Sequence, residues 1–362
     1  MEEEYLLVDA DGVPTGVAEA AVRAHERGGG EAADEGPPGG GLEKELQEQQ
    51  VETGTHPCVD LGDLQDEVRA GRHRASSAAE QAGARLVALA TAPVPGLTTL
   101  SQGDRYEAMA QAYAATVRDQ LTGGCHVHVS VADDDEGVAV LDRIGPWLPV
   151  LLALSANSPY WHGEDTGYAS SRSQQWSRWP TAGPTAPFGS ARAYHDTVAA
   201  FVASGVALDP AMMYFDARLS PRYPTVEIRI ADVCLRADDA VLVAALSRAL
   251  VETAARDAAE GIAPVHTRVE PLRAATWRAA RSGLSGDLLV PPAMTPVPAC
   301  DAVGMLLDHV RPALTDSGDL ATVQDLLAGL WRRGTGADEQ RAWARDGGLP
   351  AVVEHAVAAT LA

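Results

Sequence analysis

Lysine is nearly missing from this chain: Lys44 is the only one among the 28 basic residues of a 362-residue sequence. A phosphate-binding loop of the GxxxxGK[ST] type is therefore excluded, and a Schiff-base enzyme would have to use Lys44 itself. If phosphate is handled, arginine and metal must do it. Cysteine is scarce as well. Cys58, Cys125, Cys234 and Cys300 stand far apart with no CxxC pair, which excludes a zinc ribbon and a dithiol redox motif. There is no GxGxxG, and no apolar run reaches the roughly 18 residues of a membrane span. The longest, Trp147 to Ala156, is short and holds Pro149. No basic segment followed by an apolar one marks a secretory signal, so a cytoplasmic protein with no membrane partner is expected. A net charge of −22 argues against nucleic acid, whose binding needs a basic face. It leaves a nucleotide open, because bound cations can reverse the sign inside a site.

An apolar fraction of 46% is ample for a sizeable core. The chain begins with "EEEYLLV", a strand by composition, followed by a soft stretch whose Gly/Pro-rich end (28–41) reads as a mobile loop. "LEKELQEQQVETGTHP" is helical or extended. Leu61 to Gly83 is helix-like, "RLVALATAP" a short buried strand, and "DRYEAMAQAYAATVRDQL" an amphipathic helix with Asp104 as N-cap. "GGCHVHVSV" and "PTVEIRIADV" are strands by alternation, and "GVAVLDRIGPWLPVLLALSAN" is a buried helix. Between them lies "SPYWHGEDTGYASSRSQQWSRWPTAGPTAPFG", polar, aromatic and Pro-rich, a length typical of functional loops. From Arg236 the pattern is almost all helix, with breaks at Gly261–Pro264, Gly283–Pro298 and Gly334–Gly336. Without regular βαβ alternation, an α+β fold with a largely antiparallel sheet is expected.

Four groups of residues carry candidate chemistry. On a strand, Glu2 and Glu4 share one face while Glu3 points to the other; the pair is either a frayed acidic terminus or two oxygen ligands. His126 and His128 share a strand face opposite Cys125, Val127 and Val129, and could be metal ligands or hydrogen-bonded surface histidines. Val226, Ile228 and Ile230 turn inward, so Glu227 and Arg229 project together, as a cross-strand ion pair or as a functional pair. Glu45 and Glu52, seven apart, share a face on a helix but not on a strand. Carboxylates with occasional imidazole suit Mg²⁺ or Mn²⁺ better than Zn²⁺. With two or three such ions these groups would seat a triphosphate.

The segments "EEEYLLVD", "ELQEQQVE", "GCHVHV", "NSPYWHGEDTGYASSRSQQWSRWPTAGP" and "TVEIRIADV", in this order, closely resemble the type 2 glutamate–cysteine ligases, or carboxylate–amine ligases, of the glutamine synthetase-like superfamily. The resemblance runs from residue 1 to the C-terminal helices and is densest up to Leu235. It implies one glutamine synthetase-like ligase domain over 1–362: a curved, mainly antiparallel sheet with flanking helices and a helical C-terminal third. It implies ATP and Mg²⁺ (or Mn²⁺), phosphorylation of a substrate carboxylate, and amine attack on the acyl phosphate. Glu2, Glu4, Glu45, Glu52, His126 and Glu227 are then metal ligands, and His128 lies nearer the nucleotide. Arg229 holds the transferring phosphoryl or the substrate carboxylate, and Arg172 is a second phosphoryl clamp. The family places a short strand and Gly-Val ahead of the acidic triplet, where this chain has Met1. Glu2 is therefore expected to be less well ordered than Glu4.

The expected activity joins the γ-carboxyl of glutamate to cysteine or another amine, in a protein forming a homo-oligomer, a dimer. An amide-forming ligase of specialised metabolism with a different acceptor is the alternative within enzymes. A phosphotransferase that stops at a phosphorylated product, and a non-catalytic metal- or nucleotide-binding relative, are the others.

Overall fold

Strand-forming segments near the two ends of the first 232 residues meet in one sheet. The computed structural model describes residues 1–30 and 39–362. The strands are β1 (Glu2–Val8), β2 (Leu42–Lys44), β3 (Gln50–Gly54), β4 (Arg85–Val87), β5 (Gly124–Ser130), β6 (Tyr160–Trp161), β7 (Glu164–Asp165), β8 (Ala217–Leu219), β9 (Thr225–Asp232), β10 (Asp287–Val290) and β11 (Thr295–Pro298). Seven strands pair in one sheet in the order β2-β3-β1-β5-β9-β8, with β4 also pairing β1. Every pair in the sheet is antiparallel. The structure is thus α+β.

The helices are α1 (Ala18–Arg27), α2 (Leu61–Gln81), α3 (Asp104–Tyr113), α4 (Ala115–Arg118), α5 (Asp134–Ile144), α6 (Leu148–Ser155), α7 (Ser171–Trp176), α8 (Ala191–Ala203), α9 (Ala237–Ala259), α10 (Val269–Ser282), α11 (Ala299–Asp316), α12 (Leu320–Arg333) and α13 (Gly336–Thr360). Side-chain caps start several of them. Asp60 accepts from Gly62 N at 2.6 Å, Asp133 from Glu136 N at 2.9 Å, and Thr335 forms a capping box with Asp338.

These helices cover the apolar sheet face. Cys125, Val127, Val226, Ile228 and Ile230 join one core with α5, α6 and α9. Tyr5 and Leu7 pack with alanines of α1 and α2. Across the strand, Leu6 and Val8 meet Val353 and Ala356 of α13. The stretch Asp134–Ser155 is apolar and long enough to cross a membrane, and 78% of its most apolar 18-residue window is buried inside the protein. Its apolarity is that of a central helix pair.

Several local expectations are settled or corrected. Of the two readings left open for "LEKELQEQQVETG", the extended one holds: it is a hairpin, with Glu43 opposite Glu52. The amphipathic segment after Asp104 is two helices, broken where Ala114 adopts φ 47°, and Gly103 rather than Asp104 occupies its N-cap. The break between Gly283 and Pro298 holds the β10–β11 hairpin. Of the stretch 28–41 expected as a mobile loop, 31–38 lie outside the described residues.

Candidate active site

Cross-strand register assembles the site. Glu4 lies opposite Glu52, Glu2 opposite His126, and Glu227 opposite both His128 and Arg218. Directly opposed side chains sit about 5 Å apart, so the polar face becomes a continuous row of carboxylates, imidazoles and guanidinia. One irregularity sharpens it. Between Cys125 and Val127 the register to β9 shifts by one residue, so Arg229 and Ile230 together face His126. Such a bulge re-aims a side chain, and Arg229 Nη1 comes within 3.4 Å of His126 Nδ1.

Three groups of ligand atoms, each within 4.8 Å of one another, overlap along this row: Glu2, His128 and Glu227; Glu2, Glu52 and His126; Glu4, Glu45 and Glu52. Glu45 joins them because β2 ends just before it and the hairpin turns it inward. All six sequence-predicted ligands, and His128, are therefore brought together. Burial opposes ionisation of Glu2, yet hydrogen bonds and charge from His126 and His128 hold its carboxyl well below the usual range. Glu52 shows the reverse: burial first, then the charges of Glu2, Glu45 and Glu4, push it well above. Burial and Glu45 also raise Glu4. The buried Nε2 of His126 has no hydrogen-bond partner among the described residues, Glu4 Oε1 lying 3.7 Å away, and His128 Nε2 stands 3.2 Å from Glu2 Oε1. Crowded carboxylates with imidazole nitrogens among them, oxygen in the majority, fit hard divalent cations.

Two cavities meet at the row. The larger, about 710 Å³, is flanked by Pro57, Pro210, Pro221 and Tyr223 and reaches His128 and Glu227. The smaller, about 260 Å³, is walled by Trp176, Trp179 and Tyr214 and floored by Glu4, His126 and Arg229. Its aromatic wall is an edge-to-face cluster, Trp176 to Tyr214 at 5.0 Å and Trp179 to Tyr214 at 5.2 Å. Arg229 lies 5.9 Å from the ring centres of both Trp176 and Tyr214 and is ion-paired to Glu227.

Arg172 is placed differently. It is buried and lines neither cavity. Its guanidinium donates to the carbonyls of Ile230 and Arg229, each at 3.3 Å, and so braces the bulge, with Asp232 3.9 Å away and the Trp176 ring centre at 5.5 Å. Gly124 makes room for it: a Cβ there would stand 2.3 Å from Arg172 Nη2. The long loop that carries Arg172 is tied down by buried Asp232, which accepts from Asn157 N at 2.9 Å, Ser158 Oγ at 2.7 Å and Ser170 Oγ at 2.8 Å.

Sequence reasoning missed Arg218, which grips Glu227 through Nε (2.7 Å) and Nη2 (3.1 Å). Burial opposes ionisation of Glu227, but Arg229 and Arg218 bring it down to about 2. Arg218 sits on a three-residue strand too short to show alternation, and only its register against Glu227 reveals it. The aromatic wall was signalled by the tryptophans of the long loop, but Tyr214 comes from outside it.

Solved structures of the same architecture define the class. A glutamate–cysteine ligase from Francisella tularensis, crystallised with AMP, superposes at a TM-score of 0.67, with 12% identity over all of this chain and 88% of that one. A bifunctional glutathione synthetase from Pasteurella multocida gives 0.67 at 15% identity over 99% of this chain; the chain spans about half of that protein (52%). The fold is that of the glutamate–cysteine ligases.

Sequence comparison makes the assignment specific. The profile of glutamate–cysteine ligase family 2 matches residues 1–355, and the chain belongs to that family, one of ATP-dependent carbon–nitrogen ligases. Relatives that carry the provisional name glutamate–cysteine ligase 2 include a Streptomyces avermitilis protein, 51% identical over 94% of this chain and 92% of its own length. Another, from Streptomyces coelicolor, is 50% identical over 100% of this chain and 98% of its own length.

Proposed function

We propose that the protein uses ATP and Mg²⁺ (or Mn²⁺) to activate the γ-carboxyl of glutamate as an acyl phosphate and joins it to the amine of cysteine or a related amine. The observation that carries this reading is the row of three overlapping ligand clusters on the seam between a wide cleft and a narrow aromatic chamber. The cleft has room for a nucleotide, with its phosphates toward His128 and Glu227. The chamber suits an amino acid whose side-chain carboxylate reaches the seam.

Glu2, Glu4, Glu45, Glu52, His126 and Glu227 would hold the cations, which neutralise charge on the triphosphate when bound. The rest of the chemistry belongs to the chain. Arg229, anchored by Glu227 and stacked on aromatic faces, presents a planar pair of donors to a carboxylate or phosphoryl oxygen. Arg172 keeps the Arg229 backbone in its bulge, and Arg218 holds Glu227 ionised and in place. The aromatic wall excludes water that would hydrolyse an acyl phosphate. The carboxylate oxygen takes the phosphoryl group as the bond to ADP breaks. The amine then forms the C–N bond, phosphate leaves with the electron pair, and the amine gives up a proton. The whole chain is proposed as one ligase domain, acting in the cytoplasm as a homo-oligomer.

Mass spectrometry after incubation with ATP, Mg²⁺, glutamate and a panel of amines tests this. The expected product is a γ-glutamyl amide, with ADP released only when carboxylate and amine are both present. ADP release with one substrate alone would make the protein a phosphotransferase. No ADP under any pairing would reduce it to a binding protein.

A further inference from the structure

We propose that Arg105 is an additional phosphoryl-binding residue, which leaves Asp209 to engage the terminal phosphate as it crosses from the cleft to the chamber; this rests on the ligase reading above. Five residues face both cavities: Glu2, Glu52, Arg105, Ala211 and Arg218. Two of the five are cations, and they differ in commitment. Arg218 spends Nε and Nη2 on Glu227 and Nη1 on the carbonyls of Ala211 and Met213. It is built into the fold. Arg105, in the first turn of α3, has Asp209 as its only hydrogen-bond partner among the described residues, through Nη1 alone. Its side chain is 46% exposed and that of Asp209 33%.

The other guanidinia near the seam are likewise held. Arg229 is tied to Glu227, and Arg172 is buried and turned to the backbone carbonyls of Arg229 and Ile230. Arg105 is thus the seam cation whose donors can be handed over at the cost of one solvent-exposed ion pair, an interaction worth about 1 kcal/mol or less. A phosphoryl oxygen offers a guanidinium a stronger, planar, charge-assisted contact. Asp209 meanwhile retains a structural task, since its Oδ1 caps the turn at Ala211 N (2.8 Å). The exchange leaves that turn intact. Phosphoryl transfer depends on positioning and charge neutralisation at this position, and the near-absence of lysine leaves an arginine to supply it.

The test compares affinity for the imido analogue of ATP with affinity for ADP, both with Mg²⁺, by calorimetry on the full chain. Arg105→Ala is expected to lose about tenfold or more for the analogue while ADP changes by less than about threefold, the scale of one charged hydrogen bond to the terminal phosphate. Asp209→Asn, which keeps the cap acceptor, is expected to move the analogue-to-ADP preference the other way. The double variant should match Arg105→Ala, because the Asp209 effect acts through Arg105. An unchanged preference in Arg105→Ala, or equal losses for both nucleotides, overturns the proposal; so does a fall in preference in Asp209→Asn. Turnover separates this from the ligase reading: a wild-type protein that discriminates the nucleotides through Arg105 yet makes no amide keeps the phosphate contact and loses the ligase assignment.

Discussion

The two faces of β1 treat the same residue in opposite ways. Glu3 points to the helix side, where Arg72 of α2 meets it through Nη2 at 2.6 Å and Nε at 3.1 Å, and Tyr5 donates to it at 2.8 Å. Arg72 spends its remaining donors on the carbonyls of Cys234, Leu235 and Thr360. Every charge there has an internal partner, and the cluster ties the first strand to the C-terminal helix. One residue to either side, Glu2 and Glu4 point to the cavity side, where carboxylates outnumber the cations that face them. A paired buried charge serves structure; an excess of buried charge of one sign marks a place for something the chain does not itself supply.

The comparison can be broken on either face. The largest effect is expected from Glu4→Gln, whose amide oxygen can still accept from Gly124 N but which removes one cation-holding charge. Turnover should fall by roughly 10⁴-fold, about 5.4 kcal/mol, while the urea midpoint stays within error. Near-normal ligation by this variant would remove the cavity face from the chemistry. On the other face, Arg72→Met should cost about 3–5 kcal/mol of stability, because it strands Glu3 without a counter-charge. Adding Glu3→Gln should recover much of that loss in denaturant melts. A loss below about 1 kcal/mol would mean that Glu3 is compensated elsewhere.

Arg229→Lys sharpens the cavity side further. Lysine keeps the charge and loses the planar fork, so the variant should lose more than about tenfold in kcat/KM, or 1.4 kcal/mol. Rescue to within that margin would make Arg229 a point charge only. The smallest effect belongs to Glu52→Gln in chelator. Relief of repulsion among ligand atoms within 4.8 Å should raise stability by roughly 1 kcal/mol, the scale of two like charges about 4 Å apart even at the dielectric of water. Excess Mg²⁺ should reverse the ranking of wild type and variant. If Glu52→Gln destabilises in chelator, the carboxylates are not mutually strained.

Much of this was legible in the sequence because strand periodicity is a local property. Alternation in "CHVHVSV" and "TVEIRIADV" separates the apolar set from His126, His128, Glu227 and Arg229 without any knowledge of neighbours. The same rule splits Glu3 from Glu2 and Glu4. What alternation cannot supply is the partner on the next strand. Seven residues put Glu45 and Glu52 on one face of a helix but not of a strand, and a hairpin brings the two together by a route that spacing does not show. Arg105 and Tyr214 lie on separate elements with no periodic link to the row of carboxylates and imidazoles.

By itself, then, the sequence determined which faces are polar, that no lysine of a phosphate-binding loop is present to handle phosphate, and the family to which the chain belongs. The tertiary structure decided the rest. Register set Glu227 against Arg218 and His128, and a one-residue bulge aimed Arg229 at His126. Packing of the long loop onto Asp232 put Arg172 against the backbone of the bulge rather than in the lining of either cavity. The reason is physical: side-chain periodicity is written along one strand, whereas register, bulges and loop docking are settled by contacts between segments far apart in the chain.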